Sequence, residues 1–201
     1  MITTVIFDLG GVLLRTEDRT PRTKLAQRLG MTYEELEGQV YGSREAMRGE
    51  ISAEIHKRTF LEKLGLPENA MNEFGDEFWG GDRMDAMLVD FIRNLRGTYT
   101  TALLSNAWDD LRPLLINRWK IADAFEHIFI SAEMGLAKPD PKIYQVVESE
   151  LKKDPSELVF VDDFIENVQA ARKQGWNAVH FHSREGALAE LAEYLDSEDL
   201  L

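Results

Sequence analysis

The sequence predicts an α/β fold, a doubly wound, Rossmann-like parallel sheet with an inserted helical cap. Three observations predict it. Short apolar runs typical of buried strands alternate with amphipathic stretches typical of helices. The alternation stops between about residues 16 and 83, where helical periodicity continues without a convincing strand. Four of the apolar runs are followed at once by polar residues, as at the ligand-binding edge of an open α/β sheet. We therefore expect residues 1–15 and 84–201 to form the α/β core and residues 16–83 the cap.

Capping residues and helix breakers place the elements of both parts. Thr32 and Glu35 form a capping box, and the glycine pair Gly80-Gly81 indicates a hinge at the end of the cap. We expect cap helices to start at Thr20, Thr32, Ser52 and Pro67. We expect strands near 2–8, 100–104, 126–130, 157–161 and 176–181. Core helices are expected at 84–96, 107–119, 141–152, 164–174 and 185–195, followed by a frayed acidic tail at 196–199.

Composition limits the kind of protein this chain can be. The 201 residues carry a formal net charge of −13, which argues against nucleic-acid binding because phosphates would be repelled. No run approaches the roughly 20 apolar residues of a membrane span, and no targeting signal is visible. The chain has no cysteine, which excludes disulfides and thiolate chemistry and suits a reducing cytoplasm. We therefore expect a cytoplasmic protein with no membrane or nucleic-acid partner.

Polar residues stand at or just beyond the carboxyl ends of the predicted strands. Asp8 ends the first strand, Ser105 and Asn106 follow the run at 100–104, and the pair Asp162-Asp163 follows the run at 157–161. Lys138 lies in the loop after the run at 127–130. Since the carboxyl ends of parallel strands share one edge of a sheet, we expect these side chains to meet in one crevice. Taken alone, Asp8 is more typical of a residue that caps a turn, Ser105 and Asn106 of a helix cap, and Lys138 of a solvated loop.

In the order of these motifs, and over nearly its whole length, the chain resembles the haloacid dehalogenase superfamily of phosphotransferases. The stretch from Phe160 to Val168, with its sequel from Ala171 to Trp176, is similar to the branch that contains sugar-phosphate phosphatases. The N-terminal phosphatase domain of soluble epoxide hydrolases belongs to the same branch. The resemblance implies a Mg²⁺-dependent phosphatase that cleaves a small phosphomonoester, possibly a sugar phosphate, through an aspartyl-phosphate.

The resemblance also implies a role for each of these residues. Asp8 would be the nucleophile and a magnesium ligand, together with Asp163 and the backbone carbonyl of Gly10. Asp162 would either orient the residues that bind the metal or bind the metal through a water molecule. The residues that would hold the phosphate are Ser105, Asn106 and Lys138, the last of which would also keep Asp8 ionised. Asn167, one helical turn past Asp163, would either orient that carboxylate or be exposed to solvent.

One position departs from the family pattern. Most phosphatases of the superfamily have a second aspartate two residues after the nucleophile, where it protonates the leaving group. This chain has Gly10 there, and general acid catalysis is worth roughly 10²–10⁴-fold. The sequence therefore leaves two alternatives open, a haloacid dehalogenase and a binding or regulatory protein with a vestigial phosphatase site. Dehalogenases need no metal and do not keep the pair Asp162-Asp163, which favours the phosphatase. The natural substrate and the oligomeric state are not determined by the sequence.

Overall fold

The computed structural model describes residues 1–195, so the acidic tail expected at 196–199 lies outside the described residues. Five parallel strands form the central sheet, in the order β5-β4-β1-β6-β7. Two further strands form a short antiparallel ribbon, β2 with β3. The strands are β1 (Thr4–Phe7), β2 (Leu14–Thr16), β3 (Asp82–Met84), β4 (Thr100–Ser105), β5 (His127–Ile130), β6 (Leu158–Asp162) and β7 (Asn177–His180).

Helices cover both faces of the sheet, as the doubly wound prediction requires. The core helices are α6 (Ala86–Leu95), α7 (Leu111–Pro113, continued as a π-turn over Leu114–Arg118), α8 (Ser131–Met134), α9 (Pro141–Leu151), α10 (Ile165–Lys173) and α11 (Arg184–Tyr194). Helices α6 and α11 pack on one face with Val5 and Phe7 of β1. Helices α9 and α10 pack on the other face with Ile6. Successive β1 side chains therefore enter opposite cores, which explains why the strand reads as a continuous apolar run.

The segment between β2 and β3, which we call the helical insert (residues 17–81), contains five α-helices. They are α1 (Thr20–Arg28), α2 (Tyr33–Tyr41), α3 (Arg44–Met47), α4 (Ala53–Lys63) and α5 (Met71–Phe78). The capping box predicted at Thr32 is present, since its hydroxyl accepts from Glu35 N and the Glu35 carboxylate accepts from Thr32 N. The insert buries its own apolar cluster, around Phe60 and Phe74, which one core residue, Trp108, joins.

Two local features differ from the sequence prediction. The ribbon of β2 and β3 was not expected, because three-residue strands 66 residues apart carry no periodic signal. The helix expected at 107–119 begins only at Leu111. Residues before it are held in a loop because Ala107 N donates to Ser131 Oγ, whose hydroxyl donates back to Ala107 O. The backbone groups of Ala107 therefore bond with Ser131 at the start of α8, and they do not form the first turn of the predicted helix.

No helix within residues 1–195 is both long and apolar enough to cross a membrane.

Candidate active site

Three adjacent strands bring their last residues to one edge of the sheet. Asp8 directly follows β1, which lies between β4 and β6. Ser105 ends β4 and Asp162 ends β6, and both are buried. The backbone of Asp8 stays in register with β6 because its N–H donates to Val161 O at 2.9 Å. The parallel order thus brings together residues that are about 100 and 150 positions apart in sequence, as predicted.

Lys138 is buried at the centre of this edge. Its Nζ lies 3.0 Å from Asp8 Oδ2 and 2.6 Å from Asp162 Oδ2, and it donates to Leu104 O at 3.0 Å. An ammonium group has three donors, and here all three are used by buried acceptors. One cation therefore links the ends of β1, β4 and β6.

The charges at this point do not balance, because one buried ammonium faces two carboxylates. Burial raises the pKa of Asp8 to about 7, and the neighbouring Asp162 adds to this effect while Lys138 opposes it. Burial lowers the pKa of Lys138, but Asp8 and Asp162 outweigh it and raise that pKa above its ordinary value. The excess negative charge makes this edge a place where a further cation is favourable.

Asp162 is fully committed to partners within the protein. Its Oδ1 accepts from Phe164 N at 2.8 Å, and both carboxylate oxygens lie 3.0 Å from Asn167 Nδ2. Asn167 thus orients Asp162. The sequence had suggested a contact with Asp163 instead. The reason is that Asn167 lies on the buried face of α10, toward the side chain of the residue that ends β6.

Asp163 has the opposite character. Its Oδ1 is buried and has no hydrogen-bond partner among residues 1–195. Burial raises the pKa of Asp163 to about 6, with a further contribution from Asp162. A buried polar atom without a partner is costly and calls for an explanation, such as a bound ion.

The three carboxylates fit a divalent metal ion. One oxygen each from Asp8, Asp162 and Asp163 lie within 4.8 Å of one another. Carboxylate oxygens are the ligands that Mg²⁺ prefers, and Mg²⁺ commonly keeps several waters beside one or two carboxylates. The unpaired Asp163 oxygen supplies a free ligand position, whereas Asp162 is already saturated with hydrogen bonds.

Gly11 shapes the space beside Asp163, and sequence reasoning did not single it out for this role. Its φ is +74°, and a Cβ atom there would lie 2.0 Å from Asp163 Oδ2. Only glycine fits such a position without moving the carboxylate. The glycine pair after Asp8 was visible in the sequence, but its contact with a residue 152 positions away was not.

Asn106 holds the backbone of Lys138. Its Nδ2 donates to Lys138 O and its Oδ1 accepts from Lys138 N, both at 2.8 Å. This reciprocal pair positions the lysine, a role that the sequence did not indicate. The helix expected at 107–119 would have begun beside Ser105 and Asn106, but α7 begins six residues after Ser105, at Leu111.

Gly10 lies where the family's acid would stand. No described heavy atom lies within 4 Å of the position that a Cβ atom would take. The backbone there does not have a positive φ. The space for a larger side chain is therefore open.

The chain is similar in sequence to several known proteins. The bifunctional epoxide hydrolase 2 of mouse is 34% identical over 109 residues, which is 52% of this chain but only 20% of that protein. The chain thus matches about a fifth of its length, and about a quarter of the rat protein's. The sesquiterpene phosphatase astK of Aspergillus oryzae is 28% identical over 198 residues, 94% of each chain.

One solved structure is similar to this chain in both sequence and fold. An enzyme of the haloacid dehalogenase family from Bacteroides thetaiotaomicron, solved as a variant in complex with magnesium and inorganic phosphate, is 25% identical. It superposes with a TM-score of 0.75 over 92% of this chain and 96% of its own. The family model of the haloacid dehalogenase-like hydrolases matches residues 2–175 of this chain. The predicted fold class and resemblance are confirmed: the chain belongs to the haloacid dehalogenase-like hydrolases.

Proposed function

We propose that this protein is a magnesium-dependent phosphatase that hydrolyses a small phosphomonoester through an aspartyl-phosphate on Asp8. The observation that carries the proposal is the edge where Asp8, Asp162 and Asp163 lie within 4.8 Å of one another, with the buried Lys138 paired to the first two. A nucleophilic carboxylate, a fixed cation and a free ligand position are the parts that phosphoryl transfer through a covalent intermediate requires.

Asp8 is positioned to act as the nucleophile. Its Oδ1 accepts from Leu9 N at 2.7 Å and its Oδ2 faces Lys138, so the carboxylate is held from both sides. In the first step a bond forms between an Asp8 oxygen and phosphorus while the bond to the leaving-group oxygen breaks. In the second step water attacks phosphorus and releases phosphate and the Asp8 carboxylate.

Magnesium would be held by Asp8, Asp163 and the carbonyl of Gly10. When bound, Mg²⁺ neutralises the charge of the phosphoryl group and of the nucleophile that must approach it. Asp163 contributes through the oxygen that is unpaired in the protein. Asp162 acts on the arrangement through Lys138, which it holds at 2.6 Å.

Ser105, Asn106 and Lys138 would hold the phosphate on the side of β4. Lys138 supplies the positive charge that a phosphoryl group needs, and the ends of β4 and β1 are adjacent in the sheet. Asn106 acts mainly by fixing Lys138 through two backbone hydrogen bonds. With Gly10 at the acid position, we expect substrates with good leaving groups to react fastest.

The relatives support this proposal over its rivals. The Bacteroides enzyme was solved with magnesium and phosphate, and the Aspergillus relative is named a phosphatase. A haloacid dehalogenase would leave the buried Asp163 oxygen without purpose, since dehalogenation needs no metal. A vestigial regulatory site would not need Gly11 to keep Asp163 in place. We further propose that the substrate is a phosphorylated metabolite of the cytoplasm.

A turnover assay tests the proposal. The protein is incubated with acetyl phosphate, sugar phosphates and nucleotides, in Mg²⁺ or in excess EDTA, and phosphate release is measured. We expect release with Mg²⁺, loss of release with EDTA, and loss in the Asp8→Asn variant. Release of halide from 2-haloacids without phosphate release would favour the dehalogenase. Absence of both reactions would favour a binding protein.

A further inference from the structure

Three aromatic side chains form a partly exposed surface, which we call the aromatic wall: Tyr41 and Trp79 of the helical insert and Trp108 of the core. The Tyr41 and Trp108 ring centroids are 6.3 Å apart, and those of Trp79 and Trp108 are 6.4 Å apart. Trp108 is nearly buried, but Tyr41 is 40% exposed and Trp79 is half-buried. Large aromatic side chains at the surface commonly mark a place where a ligand binds.

The aromatic wall begins close to Ser105 and Asn106, two of the residues proposed to hold the phosphate. Trp108 is three residues beyond Ser105, so their Cα atoms are at most about 11 Å apart. Ala107, between them, is fixed to α8 by its hydrogen bonds with Ser131. β4 neighbours β1, which carries Asp8, on the side opposite to β6 and the carboxylate pair. A leaving group that points away from the metal side would extend toward Trp108.

The helical insert is fastened to the core at this same place. Asp109 Oδ1 accepts from Ala53 N at 2.8 Å, at the first residue of α4. A Cβ atom at Gly49 would lie 2.2 Å from Ala132 O, which shows how closely the turn after α3 approaches α8. The insert therefore stands over the carboxyl ends of β4 and β5, and the aromatic wall keeps a fixed place there.

The two exposed members of the aromatic wall are held rigidly. Trp79 Nε1 donates to the Tyr41 hydroxyl at 2.7 Å. The rings rest on the buried Phe78, with centroids 5.5 Å from Tyr41 and 5.0 Å from Trp79. A surface whose rings are already oriented loses little conformational entropy when a ligand covers it.

We propose that Tyr41 and Trp79 are specificity-determining residues that contact the leaving group and favour phosphate esters whose leaving group is apolar. This inference rests on the proposed function. The surface offered by the aromatic wall is mainly aromatic carbon. Two cations of the insert lie near these rings, and both are already paired. Lys57, whose Nζ lies 5.8 Å from the Trp108 ring centroid, pairs with Asp110, and the buried Arg22 pairs with Glu37 and Asp82. Substrates are therefore selected by the apolar area that their leaving group places against the aromatic wall.

A series of 4-alkylphenyl phosphates tests the inference, because lengthening the alkyl chain changes contact area but hardly changes the pKa of the leaving phenol. We expect kcat/KM to rise about two- to fourfold for each methylene group that the aromatic wall covers. The ratio of kcat/KM for 4-octylphenyl phosphate to that for phenyl phosphate is the quantity compared between variants. Ribitol and glucose phosphates are measured beside them as polar leaving groups.

The variants separate the ring from its hydroxyl. Tyr41→Ala should lower the octyl-to-phenyl ratio by about tenfold or more, since it removes most of the contact area. Tyr41→Phe keeps the ring and should keep most of the ratio. Turnover of phenyl phosphate by Tyr41→Ala, the denominator of the ratio, shows whether that variant is folded. Met87→Ala serves as a control, because Met87 is an apolar side chain on α6 that is 67% exposed, and the ratio should not change.

Three results would overturn the inference. One is a ratio near one in the native protein, and another is a polyol phosphate that outruns the octyl compound. The third is a ratio lost in Phe164→Ala but kept in Tyr41→Ala, since Phe164 is the exposed aromatic residue beside Asp163. If no phosphate ester is hydrolysed, the proposed function fails and calorimetric binding of the same compounds still decides whether Tyr41 selects an apolar group.

Discussion

Replacing Lys138 by methionine should strongly destabilise the protein, because it removes a buried charge and keeps the volume. The Nζ–Oδ2 separation from Asp8 is 3.0 Å, which corresponds to a gross attraction of about 5 kcal/mol at an effective dielectric constant of about 20. Part of that is offset by the cost of burying the ions. Removing one partner of a buried pair typically costs about 3–5 kcal/mol, because the other charge stays buried and unpaired. We expect a loss of that size at pH 8.

The loss should be smaller at pH 5, and the sign follows from Asp8. Its pKa is about 7 in the folded protein against an ordinary value of 3.8, so the folded state holds a proton that the unfolded state has lost between these values. Stability therefore falls as pH rises from about 4 to 7. Without Lys138 the pKa of Asp8 rises further, and near pH 5 the neutral carboxyl has little need of a cation.

The assay is urea unfolding at pH 5 and pH 8 in EDTA, so that no metal contributes. Lys142→Met is the matched control, because Lys142 is an exposed lysine four residues further along the chain. We expect the control to change the free energy of unfolding by no more than about 0.5 kcal/mol. An equal effect of the two substitutions, or an equal loss at both pH values, would refute the electrostatic reasoning at Lys138.

Three further predictions concern the loop that follows β1. Asp8→Asn should abolish phosphatase activity and leave the circular dichroism spectrum unchanged, because the amide fills the same space but cannot attack phosphorus. Gly10→Asp should raise kcat/KM for substrates with poor leaving groups more than for acetyl phosphate, since it supplies an acid in open space. Gly11→Ala should weaken magnesium binding in calorimetry by about tenfold or more, because its methyl group would displace Asp163.

Gly11→Ala has a matched control, and each of the three predictions has an outcome that would contradict it. Gly30→Ala carries the same backbone penalty as Gly11→Ala, since φ is +71° at Gly30, but no described heavy atom lies within 4 Å of its Cβ position. Equal magnesium affinity in these two variants would remove Gly11 from the metal site. Near-native turnover in Asp8→Asn, after deamidation is excluded, would remove Asp8 as the nucleophile. A uniform effect of Gly10→Asp on all substrates would show that leaving-group protonation does not limit the rate.

The sequence predicted those parts of the site that depend on strand ends. Asp8, Ser105 and Asp162 each follow a short apolar run, and parallel pairing leaves such residues no other place than one edge. Lys138 lies in the loop after β5, and the same strand-end argument predicted its place, while the family resemblance implied its role. Local signals also sufficed for the Thr32 capping box, because all its partners lie within four residues.

The parts that were missed depend on contacts between distant segments. The loop before Leu111 replaces a predicted helix because Ala107 is bonded to Ser131, 24 residues away. Neither alternative considered for Asn167, a contact with Asp163 or exposure to solvent, is the one observed, since the orientation of α10 brings it to Asp162. Helical propensity and spacing contain no information about such partners.

The two hydrogen bonds between Asn106 and the backbone of Lys138 have a consequence for how such enzymes diversify. The backbone of Lys138 is held by the side chain of Asn106, the residue after β4, and residues 135–137, between α8 and Lys138, do not themselves hold it. Insertions or deletions in that stretch can accumulate while the ammonium group keeps its distance to Asp8. The loop is therefore free to vary in length among descendants of this protein, whereas a change at Asn106 would be felt directly at the nucleophile.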